Sequence, residues 1–206
     1  MNRKMSLLNR IAPWGLVLTM SSCLLWVAAS PALAQRPSPE EVVESALMES
    51  AFNGDLETVQ QLVAADISVS IRDIEERTPL MWSAFNGHTP VVSFLLDQGA
   101  EVDAKDNNNR TALMYASTGP FKETVDLLLL KGADANMQGT VEGFTALMNA
   151  AAEGELEVVR VLLINGANPK IKDQDGDTAE DFAAQNGHTS VVSLLKNPPP
   201  QMGARD

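Results

Sequence analysis

A chain of 206 residues with 45% apolar and 20% charged side chains lies in the globular range and outside the wholly disordered class. Its 27 acidic residues outnumber 15 basic ones, a formal net charge of −12, so its field repels phosphate backbones and sets nucleic acid aside as a partner. One cysteine, Cys23, leaves no disulfide within the chain and no cysteine metal site.

The first 34 residues differ from the rest. Arg3, Lys4 and Arg10 precede a mainly apolar run from Ile11 to Ala29, and Pro31 is followed by Ala32-Leu33-Ala34. This is the layout of a secretory signal peptide with small residues at the cleavage site. It predicts a mature chain starting at Gln35, periplasmic or secreted, with no membrane attachment after cleavage. Two other readings stand beside it. A retained anchor is one, because about 17 to 25 apolar residues suffice to span a bilayer, although Pro13, Gly15, Thr19, Ser21 and Ser22 interrupt the run. A lipid anchor on Cys23 is the other, since Met20-Ser21-Ser22-Cys23 loosely resembles a lipoprotein box. Residues 1–34 hold three basic and no acidic side chains, so their removal leaves 12 basic against 27 acidic, a net charge of −15.

Residues 35–44 read as a linker and a helix extension. Ser38-Pro39-Glu40-Glu41 resembles a capping box with proline at the first helical position. From Ser45 a period appears. Ser45, Thr78, Thr111, Thr145 and Thr178 are anchors spaced 33, 33, 34 and 33 apart. Leu47, Leu80, Leu113 and Leu147 stand two places after an anchor; Val59, Val92, Val125, Val159 and Val192 stand fourteen after; Leu62, Leu95, Leu128, Leu162 and Leu195 stand seventeen after. Fixed periods of this length mark stacked supersecondary units. The spans are about 45–77, 78–110, 111–144, 145–177 and 178–197, followed by a Pro-rich tail, 198–206.

Within a unit the threonine caps a short helix, and Gly54, Gly87, Gly154 and Gly187 end it. An apolar second helix follows, stopped at Gly99, Gly132 or Gly166. Turn-rich loops of 11 or 12 residues, such as "EVDAKDNNNR" and "NPKIKDQDGD", join the hairpins. Two short helices cannot bury their own apolar faces, so neighbouring units must stack into a solenoid with a concave side. Three irregularities stand out. Glycine falls one place early at Gly119 with Pro120 after it, one extra residue lies in "MQGTVEGF", and Glu180 takes the place of the buried leucine. The last suits a terminal unit with a solvated face.

These residues carry a resemblance. "TPLMWSA", "NGH", "VVSFLLDQGA", "GANPKIKD" and "DGDT" are similar to the ankyrin repeat over about 150 residues in five copies. The resemblance implies an all-α repeat solenoid of helix-turn-helix units joined by β-hairpin fingers, serving as a protein-binding scaffold without catalysis or cofactor.

Candidate chemistry is sparse. His88 and His188 both open second helices 100 residues apart, and structural capping suits them. Asp173 to Thr178, "DQDGDT", invites calcium, but the twelfth loop position is Ala184 instead of a bidentate acid. Met48, Met81, Met114 and Met148 all fall three places after an anchor; they fill packing space or, in the alternative, form a thioether ladder for Cu(I) in a metal or redox accessory protein. Asn109-Arg110-Thr111 is a glycosylation sequon with meaning in a eukaryotic source only. No P-loop, GxSxG or HExxH is present, so no enzyme is expected.

What remains is a stripe. Residues four, seven and eight after each anchor share one side of the first helix. The family places that side on the concave surface. Phe52, Trp82, Phe85, Asn86 and Tyr115 lie on it, and aromatics with a polar handle favour binding hot spots. Finger residues Ile74, Glu75, Arg77, Asn107, Asn108 and Arg110 supply specificity in this reading. The expected function is an exported interaction module that tethers or inhibits a periplasmic enzyme.

Overall fold

A computed structural model describes residues 39–201, with side chains from Val43 onward. The leader, and with it the cleavage, anchor and lipid readings at residues 1–34, lies outside the described residues. Ten helices follow one another: α1 Pro39–Asn53, α2 Leu56–Ala64, α3 Pro79–Phe85, α4 Thr89–Asp97, α5 Ala112–Ala116, α6 Lys122–Leu130, α7 Ala146–Glu153, α8 Leu156–Ile164, α9 Ala179–Asn186 and α10 Thr189–Lys196. The odd-numbered first helices pack on one another in chain order, as do the even-numbered second helices, and each pair closes into a hairpin.

Anchor side chains start the first helices. Thr78 Oγ1 accepts from the Met81 N–H at 3.3 Å, Thr145 Oγ1 from Met148 at 3.2 Å and Thr178 Oγ1 from Asp181 at 3.4 Å. Each satisfies a donor that the helix itself cannot. Between the two rows lies the core. Leu47, Leu80, Leu113 and Leu147 are fully buried, as are Val59, Val92, Val125 and Val159, and Leu95, Leu128 and Leu162. Burying such a side chain is worth about 1.5–3 kcal/mol.

The hairpin corner is also an inter-repeat contact. Gly154 ends α7 at φ +80°, and a Cβ there would lie 2.5 Å from His188 Nδ1 of the following repeat. Glycine therefore meets two demands: a left-handed conformation and room for an imidazole. At Gly87 the ring lying over the missing Cβ is Phe121, which holds the histidine's place in the third unit.

That third unit has the shortest helix. Gly119 and Pro120 arrive a place early, and α5 stops at Ala116. Ser117 Oγ then donates to the Leu113 carbonyl at 2.8 Å, and Thr118 Oγ1 to that of Tyr115 at 2.8 Å. Side-chain bonds stand in for the turn that α5 lacks.

Among the described residues there is no β-strand; each finger is a hairpin turn closed across its ends by a backbone bond, such as Asp73 N–H to Arg77 O at 3.0 Å and Asp106 N–H to Arg110 O at 3.1 Å, and these two turns hold a further bond inside, Glu76 N–H to Asp73 O and Asn109 N–H to Asp106 O, each at 2.9 Å. Adjacent fingers share single bonds as well: Asn107 N–H to Glu75 O at 3.0 Å, Thr140 N–H to Asn108 O at 2.8 Å and Gln174 N–H to Glu142 O at 3.1 Å. One bond per neighbour is too few for a ladder. At the C-terminal end Glu180 is half-buried, with Oε1 3.6 Å from Lys196 Nζ.

Candidate functional site

Trp82 on α3 and Phe52 on α1 meet edge to face at 5.3 Å between ring centroids. Phe85 follows at 6.4 Å from Trp82, and Tyr115 on α5 at 6.2 Å from Phe85, both edge to face. The stripe is thus one continuous row across three repeats. Such pairs prefer this geometry because the positive edge of one ring meets the negative face of the next.

The row is unevenly accessible. Phe52, Trp82 and Phe85 are half-buried, whereas Tyr115 is only 5% exposed and its hydroxyl donates to Asp106 Oδ2 at 2.8 Å. Burial first of all pushes the Tyr115 phenol well above its ordinary value, and the hydrogen bond to Asp106 works in the same direction. The expected contact residue at Tyr115 is instead the buried floor of the row. Asn86 has a comparable duty, its Nδ2 donating to the Phe52 carbonyl at 2.7 Å and tying α3 to α1.

Fingers are joined to the row through arginine. The Arg77 guanidinium lies 4.4 Å over the Trp82 ring while its Nε donates to Asp73 Oδ2 at 2.7 Å. One repeat on, Arg110 lies 4.9 Å over Tyr115 and its Nε donates to Asp106 Oδ2 at 2.7 Å. Asp73 and Asp106, which no motif search singles out, organise these turns. Each carboxylate also accepts two backbone N–H bonds: Glu75 and Arg77 to Asp73, Asn108 and Arg110 to Asp106. The available signal was an aspartate five places before the anchor, at Asp73, Asp106 and Asp173.

Ile74, at the tip of the first finger, is 92% exposed. Glu75 pairs with Arg77. Asn107 Nδ2 donates to the Ile74 carbonyl at 3.3 Å, and the Asn108 carbonyl accepts from Thr140. Ile74 and Glu75 therefore lie at the surface, while Asn107 and Asn108 also fix one finger against the next. The third finger has no arginine; Phe144 stands there and meets Phe182 at 5.0 Å.

Other candidates resolve into structure. His88 Nε2 lies 2.9 Å from the Phe52 carbonyl and His188 Nε2 3.1 Å from that of Ala152, so each imidazole braces the preceding repeat instead of capping its own helix. Met81 and Met148 are buried, their Sδ accepting from Thr78 N–H at 3.5 Å and Thr145 N–H at 3.4 Å. Thioethers so placed fill core and complete caps, which does not fit a copper ladder. In "DQDGDT", Asp173 Oδ1 accepts from Asp175 and Asp177 N–H, the turn-forming role of its counterparts. Thr111 of the sequon is fully buried and Asn109 has φ +56°. No helix among the described residues is long and apolar enough to cross a membrane.

The comparisons agree with this architecture. The family profile "Ankyrin repeats (3 copies)" matches residues 47–138 and 119–206, and the chain belongs to the ankyrin-repeat family. Ankyrin repeats are protein–protein interaction modules, and that is the class of function this chain carries. It is similar to an ankyrin repeat protein of Rickettsia felis, 40% identical over 48 residues, 23% of this chain and 76% of that protein. It is also similar to mouse ankyrin repeat family A protein 2, 46% identical over 48 residues, 23% of this chain and 15% of the mouse protein. The Drosophila melanogaster E3 ubiquitin-protein ligase mind-bomb is 43% identical over 51 residues, 25% of this chain. The match spans only 4% of that ligase, so the likeness concerns repeats alone.

Proposed function

We propose that this protein is an exported, non-enzymatic ankyrin-repeat module that docks another protein across the concave first-helix row and the fingers, tethering or inhibiting a periplasmic enzyme. The observation that carries the docking site is the row Phe52–Trp82–Phe85, half-buried and continuous over adjacent repeats, beside the exposed Ile74. Rigid aromatic side chains lose little conformational entropy on contact, which is why they dominate hot spots. Export rests on the basic start, apolar run and Ala32-Leu33-Ala34 of the leader.

Two measurements test this reading. Crosslinking in the native compartment should capture a partner that Trp82→Ala with Ile74→Ala loses while circular dichroism stays native; truncation of a hot-spot residue costs about 2 kcal/mol or more. Undiminished capture would move recognition off this face. Intact mass should show loss of residues 1–34, whereas an unprocessed chain, or Cys23 carrying lipid, would overturn cleavage at Gln35 and release from the membrane.

A further inference from the structure

Charge around the aromatic row is one-sided. Among the side chains described, the five first helices hold five acidic residues, Glu44, Glu49, Glu153, Glu180 and Asp181, and no Lys, Arg or His. On α1, Glu49 lies one turn before Phe52 and is exposed; on α7, Glu153 closes the helix and is exposed. These two carboxylates flank the row, one in its first repeat and the other in the repeat beyond Tyr115. The arginines over the row, Arg77 and Arg110, are each matched by an aspartate within 2.7 Å, which leaves them little charge to repel a ligand.

From this we infer that the partner presents a basic segment carrying apolar side chains, the aliphatic groups lying on Phe52, Trp82 and Phe85 and the cations reaching Glu49 and Glu153. The inference rests on the docking reading above and names the chemistry of what docks. Packed helices lie about 8–10 Å apart, so the three repeat steps from Glu49 to Glu153 cover roughly 30 Å. An extended segment of about nine residues spans that distance. Glu153 supports the assignment: partial desolvation of its carboxyl group, although the residue as a whole is exposed, and the Glu155 carboxylate raise its proton affinity above the ordinary range, against the weaker pull of His188. A ligand cation would relieve that repulsion.

The acidic partner class is disfavoured by the same field, since like charges opposed across an interface cost affinity and slow encounter. An apolar segment without charge would leave Glu49 and Glu153 facing it unpaired.

The test uses the full chain and a fluorescein-labelled nine-residue peptide of alternating Lys and Leu, followed by anisotropy. Binding should weaken about tenfold for Glu49→Gln with Glu153→Gln, and its salt dependence should flatten. Trp82→Ala should also weaken it about tenfold, and a Glu/Leu peptide should not bind. The charge-matched control Glu57→Gln with Asp126→Asn, on exposed second-helix positions, should change nothing. Equal weakening by that control would show a non-specific polyanion effect and overturn the inference, as would comparable binding of the Glu/Leu peptide. If Trp82→Ala weakens binding and the Glu49/Glu153 pair does not, the basic partner is wrong while the docking face stands. If Trp82→Ala leaves binding native, the docking face itself fails.

Discussion

Asp106 accepts from two backbone N–H groups, from Arg110 Nε and from the Tyr115 hydroxyl, all within 2.8 Å. One carboxylate thus holds a finger turn, a cation over an aromatic ring and the floor of the aromatic row. Tyr115 is the chain's only tyrosine, so its ionisation can be read without interference. Its folded-state value lies above the ordinary value near 10. The native state therefore binds this proton more tightly than the unfolded chain does; the resulting stability is complete below about pH 10 and is lost as pH rises beyond it. Phenolate absorbance is expected to appear only together with loss of far-ultraviolet dichroism. Ionisation in the ordinary range on a still-native fold would contradict the burial. Tyr115→Phe should cost about 1.5–3 kcal/mol, the usual worth of a hydrogen bond to a charged group, measured by urea unfolding.

Helix by helix, the period in the sequence was legible because the recurring hydroxyl anchor, leucine and glycines each answer a local demand: a cap, a core position and a left-handed turn. What lay beyond local reading was the use of those glycines by the next repeat. Gly154 makes room for His188, and Gly87 for Phe121; no spacing within a single unit reveals that contact. Gly154→Ala is expected to destabilise through both its positive φ and the clash with the imidazole, by more than the roughly 1 kcal/mol of the backbone term alone. Adding His188→Ala should recover the clash but not the backbone part. Additive losses in the double-mutant cycle would show that the two positions do not touch.

Across the stack, stability is a sum of repeat terms and nearest-neighbour interfaces, so the same position matters differently at the centre and at the end. Leu113 is fully buried between repeats, and Leu113→Ala is expected to cost about 2–5 kcal/mol. Glu180, at the equivalent place in the last repeat, is half-buried beside Lys196, and Glu180→Ala should cost well under 1 kcal/mol, as exposed ion pairs contribute little. Denaturant midpoints at a constant slope decide between them; equal losses would contradict the solvated cap. The five described carboxylates of the first helices, with no cation among the described side chains there, come together only because stacking brings separate helices side by side.

The sequence by itself determined the repeat length, the five units, their buried leucines and the membership of Phe52, Trp82, Phe85 and Tyr115 in one stripe, because helical periodicity and capping act over a few residues. Tertiary structure alone decided which of those rings stay accessible. Tyr115 turns inward because a buried aspartate from the finger before it accepts its hydroxyl, and Trp82 receives a guanidinium from the finger before its own helix. It also decided how the fingers meet: each is a hairpin turn that exchanges single backbone bonds with its neighbours. These outcomes depend on the distance between groups that the chain brings together only on folding, and a linear pattern does not encode that distance.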